Sequence, residues 1–238
     1  MTAIWKRELQ ALFYTPQAYV FLGFFFLAGG YFFWSLNLSA ASSDMSSFFN
    51  RLIYILVFFV PVLTMRLLSE EKRMKTDQLL FTAPVSKGAI VLGKYLAVCS
   101  VLLTALVLTG IYPVIVAVYG HIQLGTTLVN YLGCFLVGGE YIAIGLLISS
   151  LCENQLTAAV GTLAVNIALQ ALESLPRLLS ASGAAPALSS VVAWLSMGSR
   201  NNDFSQGLLK PANIFYFVSF VAFILYWTTC HLNAARRR

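Results

Sequence analysis

Six long apolar runs constrain the fold of this 238-residue chain more than any other feature. They cover residues 19–36, 52–65, 95–119, 128–151, 156–172 and 212–232, and a single charged side chain lies within them. A helix of about 20 apolar residues crosses the roughly 30 Å hydrocarbon core of a bilayer, and the runs lack the polar–apolar alternation of barrel strands. The sequence therefore predicts an all-α integral membrane protein with six transmembrane helices.

The basic residues indicate which ends of these helices share one side of the membrane. Only 10% of the residues are charged, far fewer than in a soluble domain. With both termini inside, 11 of the 15 lysines and arginines lie on the cytoplasmic side, where basic residues accumulate. The cytoplasmic set is Lys6, Arg7, Arg66, Lys72, Arg73, Lys75, Lys87, Lys94, Arg236, Arg237 and Arg238, and the external set is Arg51, Arg177, Arg200 and Lys210. We therefore predict that both termini are cytoplasmic.

Two segments outside the apolar runs predict helices that lie along the membrane surface. Residues 1–16 place apolar side chains on one helical stripe and basic or polar ones opposite, which is typical of an interfacial helix. Residues 173–211 form an external loop that is too long for a turn and whose apolar pieces are too short to span, so we expect interfacial or re-entrant helices there. The chain is interpreted as a single transmembrane domain, residues 1–238.

The largest internal loop, residues 66–94, predicts a short helix between the second and third spans. Thr76 is a suitable N-cap, Asp77 lies favourably in the first turn, and Pro84 ends the helix. Ser86 can cap again and begin the helix that continues into the third span. The sequence therefore predicts a small cytoplasmic helix, residues 77–82, held between two spans.

A glycine- and lysine-containing pattern at the start of the third span raises the question of nucleotide binding. Gly88, Gly93 and Lys94 have the spacing of a phosphate-binding loop, but Tyr95 replaces the Ser or Thr that would bind Mg²⁺, and no strand precedes the pattern. We interpret Lys94 instead as an anchor whose side chain extends to the lipid headgroups. We predict neither a cofactor nor a metal site in this chain.

Glu140 is the one acid within the six runs, near the middle of the fourth span. A charge at that depth costs at least about 2.5 kcal/mol, so such a residue faces protein or water. Two interpretations remain open: a substrate or proton contact, or a protonated acid that hydrogen-bonds Asn166, Gln170 or a tyrosine of a neighbouring helix. Glu140 and Asn166 are the candidate residues of an intramembrane polar site.

Small residues in the first and fourth spans predict close packing of helices. Without bulky side chains, helix backbones can approach one another. The residues are Gly29, Gly30, Gly133, Gly139, Gly145 and Ser149. They are candidates for helix–helix contacts within the chain or at a dimer seam.

Four segments carry patterns whose order along the chain is specific. The internal loop contains Glu70-Glu71-Lys72-Arg73, Thr76, Leu79-Leu80-Phe81-Thr82-Ala83-Pro84-Val85-Ser86 and Leu92-Gly93-Lys94-Tyr95-Leu96. The N-terminal segment contains Glu8-Leu9, Phe13, Pro16, Tyr19 and Gly30-Tyr31-Phe32. The third segment is Gly145-Leu146-Leu147-Ile148-Ser149 with Asn154-Gln155, and the fourth is Phe204 with Gly207 ahead of Tyr216-Phe217. The loop resembles that of ABC-2 permeases of ABC transporters, and the other segments are similar to the gliding-motility and copper-enzyme-maturation branch of that family. The loop departs from the family pattern at Lys75 and Asp77-Gln78, so no specific salt bridge is carried over.

The resemblance implies the permease subunit of an ATP-driven exporter in the bacterial cytoplasmic (inner) membrane. It implies a homodimer or heterodimer of permeases and two copies of a separate ABC ATPase subunit, which binds ATP and Mg²⁺; membrane lipids are expected partners and nucleic acid is not. The residues implied to contact the ATPase as a coupling helix are Asp77, Gln78, Leu79, Leu80, Phe81 and Thr82, and those implied to position the loop are Glu70, Glu71, Arg73 and Pro84. No catalytic residue is expected in this chain.

Two other functions are compatible with parts of this pattern. A mechanical subunit of an envelope or motility complex would use the same ATP-driven movement without transport. A polytopic enzyme would need several reacting groups at one depth, and Glu140 has no ionisable companion in its span. The exporter is therefore the leading hypothesis, with the mechanical subunit as its alternative.

Overall fold

The computed structural model describes residues 2–74, 86–172 and 197–235, and every regular element in those ranges is helical. The helices are α1 (Thr2–Tyr14), α2 (Pro16–Phe33) with a π-helical turn (Trp34–Leu38), α3 (Ser46–Thr64), α4 (Ser69–Arg73), α5 (Lys87–Thr109), α6 (Ile111–Tyr119), α7 (Leu124–Leu151), α8 (Gln155–Leu172), α9 (Met197–Ser205) and α10 (Pro211–Ala235). Pro16 begins α2 at a position where no backbone N–H is needed. Ser86 takes the N-cap position of α5, as predicted, although its side chain makes no capping hydrogen bond.

Six helical stretches in the described residues are long and apolar enough to cross a membrane. They are Pro16–Leu38, Ser46–Thr64, Lys87–Tyr119, Leu124–Leu151, Gln155–Leu172 and Pro211–Asn233. They coincide with the six apolar runs, so the predicted all-α integral membrane protein with six transmembrane helices is confirmed. The second stretch begins before its apolar run because the exposed Arg51 does not interrupt α3.

Helix α7 lies at the centre of the bundle. It packs against α3, α5, α8, α9 and α10. In its most apolar stretch 72% of the residues are buried, compared with 22% in the spans formed by α2 and α10. The outer helices instead expose large apolar side chains such as Leu27, Val107 and Phe215, as expected for surfaces that face lipid. A displacement of α7 would therefore be felt by most of the bundle.

Glycines allow the close packing of α7 that the sequence predicted. A Cβ atom at Gly133 would lie 2.9 Å from that of Phe204 on α9, and one at Gly139 would lie 2.8 Å from the Tyr95 hydroxyl on α5. All of these contacts lie within one chain. These glycines therefore serve the packing of the bundle itself.

Long-range hydrogen bonds define two ends of the bundle. At one end, which we call the termini end, the Lys87 ammonium donates to the Leu232 carbonyl near the end of α10 (2.9 Å), and α1 packs against α5. At the other, the distal end, the Ser46 hydroxyl at the start of α3 donates to the Ser205 carbonyl at the end of α9 (2.7 Å). The segment between α3 and α5 thus lies at the same end as both termini.

Candidate functional site

The loop of residues 66–94 is described on both sides of its centre. Residues 66–74 follow α3 and contain α4, and residues 86–94 begin α5. The predicted coupling helix lies outside the described residues, and so does Pro84. The residues concerned are Asp77, Gln78, Leu79, Leu80, Phe81 and Thr82, and their role stays a prediction.

Ser149, near the end of α7, binds the first side of the loop. Its Oγ atom accepts hydrogen bonds from the backbone N–H groups of Leu68 (3.1 Å) and Ser69 (3.2 Å), and it donates to the Met65 carbonyl (3.3 Å). A hydroxyl can donate one hydrogen bond and accept two, so the hydrogen-bonding capacity of the Ser149 hydroxyl is fully used. Ser69 also donates through its own hydroxyl to Met65, and both serines are fully buried. The start of α4 is therefore capped by a residue of another helix.

One turn earlier in α7, Gly145 brings α7 against the end of α3. A Cβ atom at Gly145 would overlap the hydroxyl, Cβ and methyl of Thr64, which is fully buried. The Thr64 hydroxyl bonds back to the Val60 carbonyl of its own helix (3.1 Å), which holds its side chain in place. Because only glycine fits here, α3 and α7 touch almost at backbone level beside the first side of the loop.

Two further side chains attach this side of the loop to the α7–α8 turn. Lys72 donates to the backbone carbonyl of Ser150, and Arg66 Nε donates to Gln155 Oε1 at the start of α8 (3.2 Å). Arg66 also lies 3.8 Å from the carboxylate of Glu70, but both side chains are more than a third exposed. An exposed pair of this kind stabilises little.

Of the four residues predicted to position the loop, only Glu70 and Arg73 have described side chains, and the role of all four stays a prediction. Glu70 pairs within the loop, and Arg73 is exposed. The Glu71 side chain lies outside the described part. The sequence predicts only close packing for Ser149, the residue that attaches the loop to α7. The one signal of this attachment in the sequence is a small polar residue near the end of a helix.

The second side of the loop is attached to α10 and α1. Besides the bond from Lys87 to α10, Lys94 Nζ lies 3.2 Å from the Glu8 carboxylate, and Lys94 is only 2% exposed. The prediction that Lys94 extends to lipid headgroups is wrong, because α1 lies across α5 and covers it. Trp5 Nε1 donates to Ser100 Oγ at 3.0 Å nearby.

The close approach of α1 to α5 depends on a second glycine. A Cβ atom at Gly93 would lie 2.8 Å from the Ile4 side chain, so a larger residue would push α1 away. The glycine and lysine that resembled a phosphate-binding loop thus form a contact between helices.

The two candidate intramembrane residues, Glu140 and Asn166, are both fully buried on neighbouring helices. Glu140 is fully buried on α7 and lies within electrostatic range of Tyr95 on α5 and Tyr216 on α10. Asn166 is fully buried on α8, and neither of its amide atoms has a hydrogen-bond partner in the described ranges. The two side chains are therefore not hydrogen-bonded to each other. The Arg200 guanidinium lies 4.0 Å from the centre of the Tyr216 ring, which links α9 to α10.

At the distal end, α9 forms part of the loop predicted to contain short helices. Its Phe204 is fully buried and packs beside Phe217 of α10, with 6.1 Å between ring centres. Asp203 accepts hydrogen bonds from Asn213 (2.9 Å) and Lys210 (3.0 Å). The bond from Asn213, assisted by Lys210, holds the pKa of the Asp203 carboxyl below its usual range.

Comparison with known proteins agrees with this architecture. The family model described as "ABC-2 family transporter protein" matches residues 35–225, which include α3 to α9 and most of α10. A search of curated proteins gave no match. The match covers most of the chain, including both described sides of the loop. The chain therefore belongs to the ABC-2 family, as the membrane-spanning permease component of an ABC transporter whose partner is an ABC ATPase subunit.

Proposed function

We propose that this permease couples ATP hydrolysis by a separate ATPase subunit to the export of a substrate across the bacterial cytoplasmic membrane. Two ATPase subunits bind ATP and Mg²⁺, two permeases pair as a homodimer or heterodimer, and this chain contributes no catalytic group. We place it in the gliding-motility and copper-enzyme-maturation branch of the family, on the segments quoted above. The chain acts as a single domain whose residues 77–82 contact the ATPase.

The observation that carries the proposal is the attachment of the loop to different helices on its two sides. Its first side is bound to α7 through Ser149, and its second side to α10 through Lys87 and to α1 through Lys94. A segment fixed at both ends passes a displacement on to the helices that hold it, as in rigid-body switching. A push on residues 77–82 would therefore reach the central helix and two outer helices.

The charges of the described residues support a cytoplasmic termini end. Seven basic residues lie there, namely Lys6, Arg7, Arg66, Lys72, Arg73, Lys87 and Lys94, and those near the distal end are Arg51, Arg200 and Lys210. Basic residues of short loops accumulate on the cytoplasmic side. This orientation presents the loop to an ATPase in the cytoplasm.

Affinity purification from membranes in mild detergent tests the contact. We expect an ATPase subunit to co-purify with the wild type and to be lost when Leu80→Asp and Phe81→Asp are combined. The matched control combines Leu208→Asp with Leu209→Asp, since these adjacent leucines are exposed and lie outside the spans. A complex that survives the Leu80 and Phe81 changes would overturn the assigned contact.

Everted membrane vesicles separate the exporter from the mechanical subunit. After ATP is added, we expect metabolite profiling to detect a compound that accumulates in wild-type vesicles and not in those with the Leu80 and Phe81 changes. ATP hydrolysis without accumulation of any compound would favour the mechanical alternative.

A further inference from the structure

We propose that Ser149 is the positioning residue through which movement of the loop reaches the central helix α7. The inference rests on the proposed function, since it assumes that ATP drives a movement of the loop. It adds to that function the atom through which movement of the first side of the loop is passed to α7. This atom is Ser149 Oγ, which lies on α7 and not in the loop.

The hydrogen bonds of Ser149 fall where α4 needs partners. The N–H groups at the start of a helix have no acceptor within that helix, and here Leu68 and Ser69 donate them to Ser149 Oγ. Because the site is fully buried, water cannot replace the hydroxyl, and loss of the acceptor would leave both N–H groups without a partner. The bond from Ser149 to Met65 fixes the hydroxyl in the orientation that accepts both.

Neighbouring contacts make this attachment stiff. Gly145 and Thr64 hold α3 against α7 one turn away, and Lys72 donates to the carbonyl of Ser150. The three contacts lie within two turns of α7. A displacement of α4 in any direction therefore pulls or pushes the end of α7.

The other end of α7 reaches the distal side of the membrane. From Ser149 to Gly133, where Phe204 of α9 packs, the helix rises about 24 Å, most of the thickness of the hydrocarbon core. Glu140 lies between these two positions and faces α5 and α10. A movement received at Ser149 is thus delivered both to the buried acid and to the helix at the distal end.

Ser150 provides a matched control for a purely structural role. It is adjacent to Ser149 and fully buried, but its hydroxyl donates to the Leu147 carbonyl of its own helix (2.6 Å). Ser150→Ala therefore removes one buried hydroxyl and leaves α4 attached. Ser149→Thr keeps a hydroxyl and serves as the conservative variant.

The experiment uses the permease with its co-purified ATPase subunit in nanodiscs. Hydrogen exchange without ATP reports the attachment: we expect the amides of Leu68 and Ser69 to exchange at least about tenfold faster in Ser149→Ala and at the wild-type rate in Ser150→Ala. Spin labels at the exposed Leu103 of α5 and Leu124 of α7 then report movement, in a background with Cys152 and Cys230 changed to Ser. We expect ATP to change this distance in the wild type, Ser150→Ala and Ser149→Thr. In Ser149→Ala the ATP-dependent distance change should be markedly smaller than in the wild type while ATP hydrolysis continues, because only the contacts of Lys72 and of the second side of the loop remain.

Each other result has a definite meaning. An ATP-dependent distance change of wild-type size in Ser149→Ala, or unchanged exchange at Leu68 and Ser69, would overturn the role of Ser149 and leave the proposed function standing. A wild-type distance that does not respond to ATP would overturn the proposed function and this role with it. If Ser149→Ala fails to assemble, Ser149→Cys replaces it, since a thiol is a weak acceptor of similar size.

Discussion

The two ends of the bundle are held together in different ways. At the termini end, the attachments are spread over Ser149, Lys72, Lys87 and Lys94. At the distal end, α9 inserts the buried aromatic side chain of Phe204, and the hydrogen bonds of its described residues Asn201 and Asp203 are partly exposed. When one of the distributed contacts is removed the others remain in place, whereas removal of the single anchor takes away most of the docking free energy of α9 at once. Under the proposed function, the first arrangement suits the end on which the ATPase acts. The second suits an end at which α9 can detach from the bundle.

The largest effect is expected from Phe204→Ala at the distal end. Truncation of a buried phenylalanine costs about 3–5 kcal/mol, and here the loss falls on the docking of α9. Hydrogen exchange of residues 197–210 in nanodiscs should show α9 opening while α7 stays protected. Leu208→Ala, at a half-exposed position of the same segment, is the control and should change little. Full protection of α9 without Phe204 would contradict the single-anchor description.

Glu8→Gln should detach α1 at the termini end. It removes the negative charge that lies 3.2 Å from the buried Lys94 ammonium, and breaking a buried ion pair from one side costs about 3 kcal/mol. Faster hydrogen exchange of α1 measures the loss. The double variant Glu8→Gln with Lys94→Met should exchange more slowly than Glu8→Gln alone, because no ammonium remains buried. Arg7→Gln is the control, since Arg7 pairs with Glu8 from an exposed position.

Gly145→Ala should destabilise the contact between α3 and α7 by about 1–3 kcal/mol through overpacking against Thr64. Gly125→Ala in the same helix is the matched control, because no atom lies within 4 Å of a Cβ there. Alanine favours a helix over glycine, so the control should be neutral or stabilising. Thermal unfolding in detergent compares the midpoints of the two variants. Equal midpoints would show that α3 and α7 can move apart to accommodate the added methyl group without loss of stability.

The smallest effect concerns pH at the distal end. Because Asn213 and Lys210 lower the pKa of Asp203, the folded state binds this proton less readily than the unfolded state. The contribution to stability is therefore present above about pH 4 and is lost as the pH falls through the lower pKa of the folded state. The protection of the α9 amides, taken relative to their intrinsic exchange rates at each pH, should fall slightly below about pH 4 in the wild type, whereas Asp203→Asn should lack this dependence.

The six spans could be predicted from the sequence. Most of the contacts that attach the loop and α1 to the bundle could not. Burial in lipid demands long apolar runs, so the six spans are visible in composition alone. Lys94 shows where this reading fails, since its ion pair depends on the direction in which α1 crosses α5. For Ser149 the sequence predicts only close packing, because its hydrogen-bond partners Leu68 and Ser69 lie 81 and 80 residues away in the chain. The coupling residues 77–82 rest on resemblance to the family.

The position of α1 also bears on how the protein is assembled. Trp5 and Glu8 are synthesised before their partners Ser100 and Lys94, which follow 95 and 86 residues later. During synthesis α1 therefore has no docking site until α5 has entered the membrane. Helix α1 must therefore wait at the surface, and its docking marks a chain in which α2, α3 and α5 are already in place.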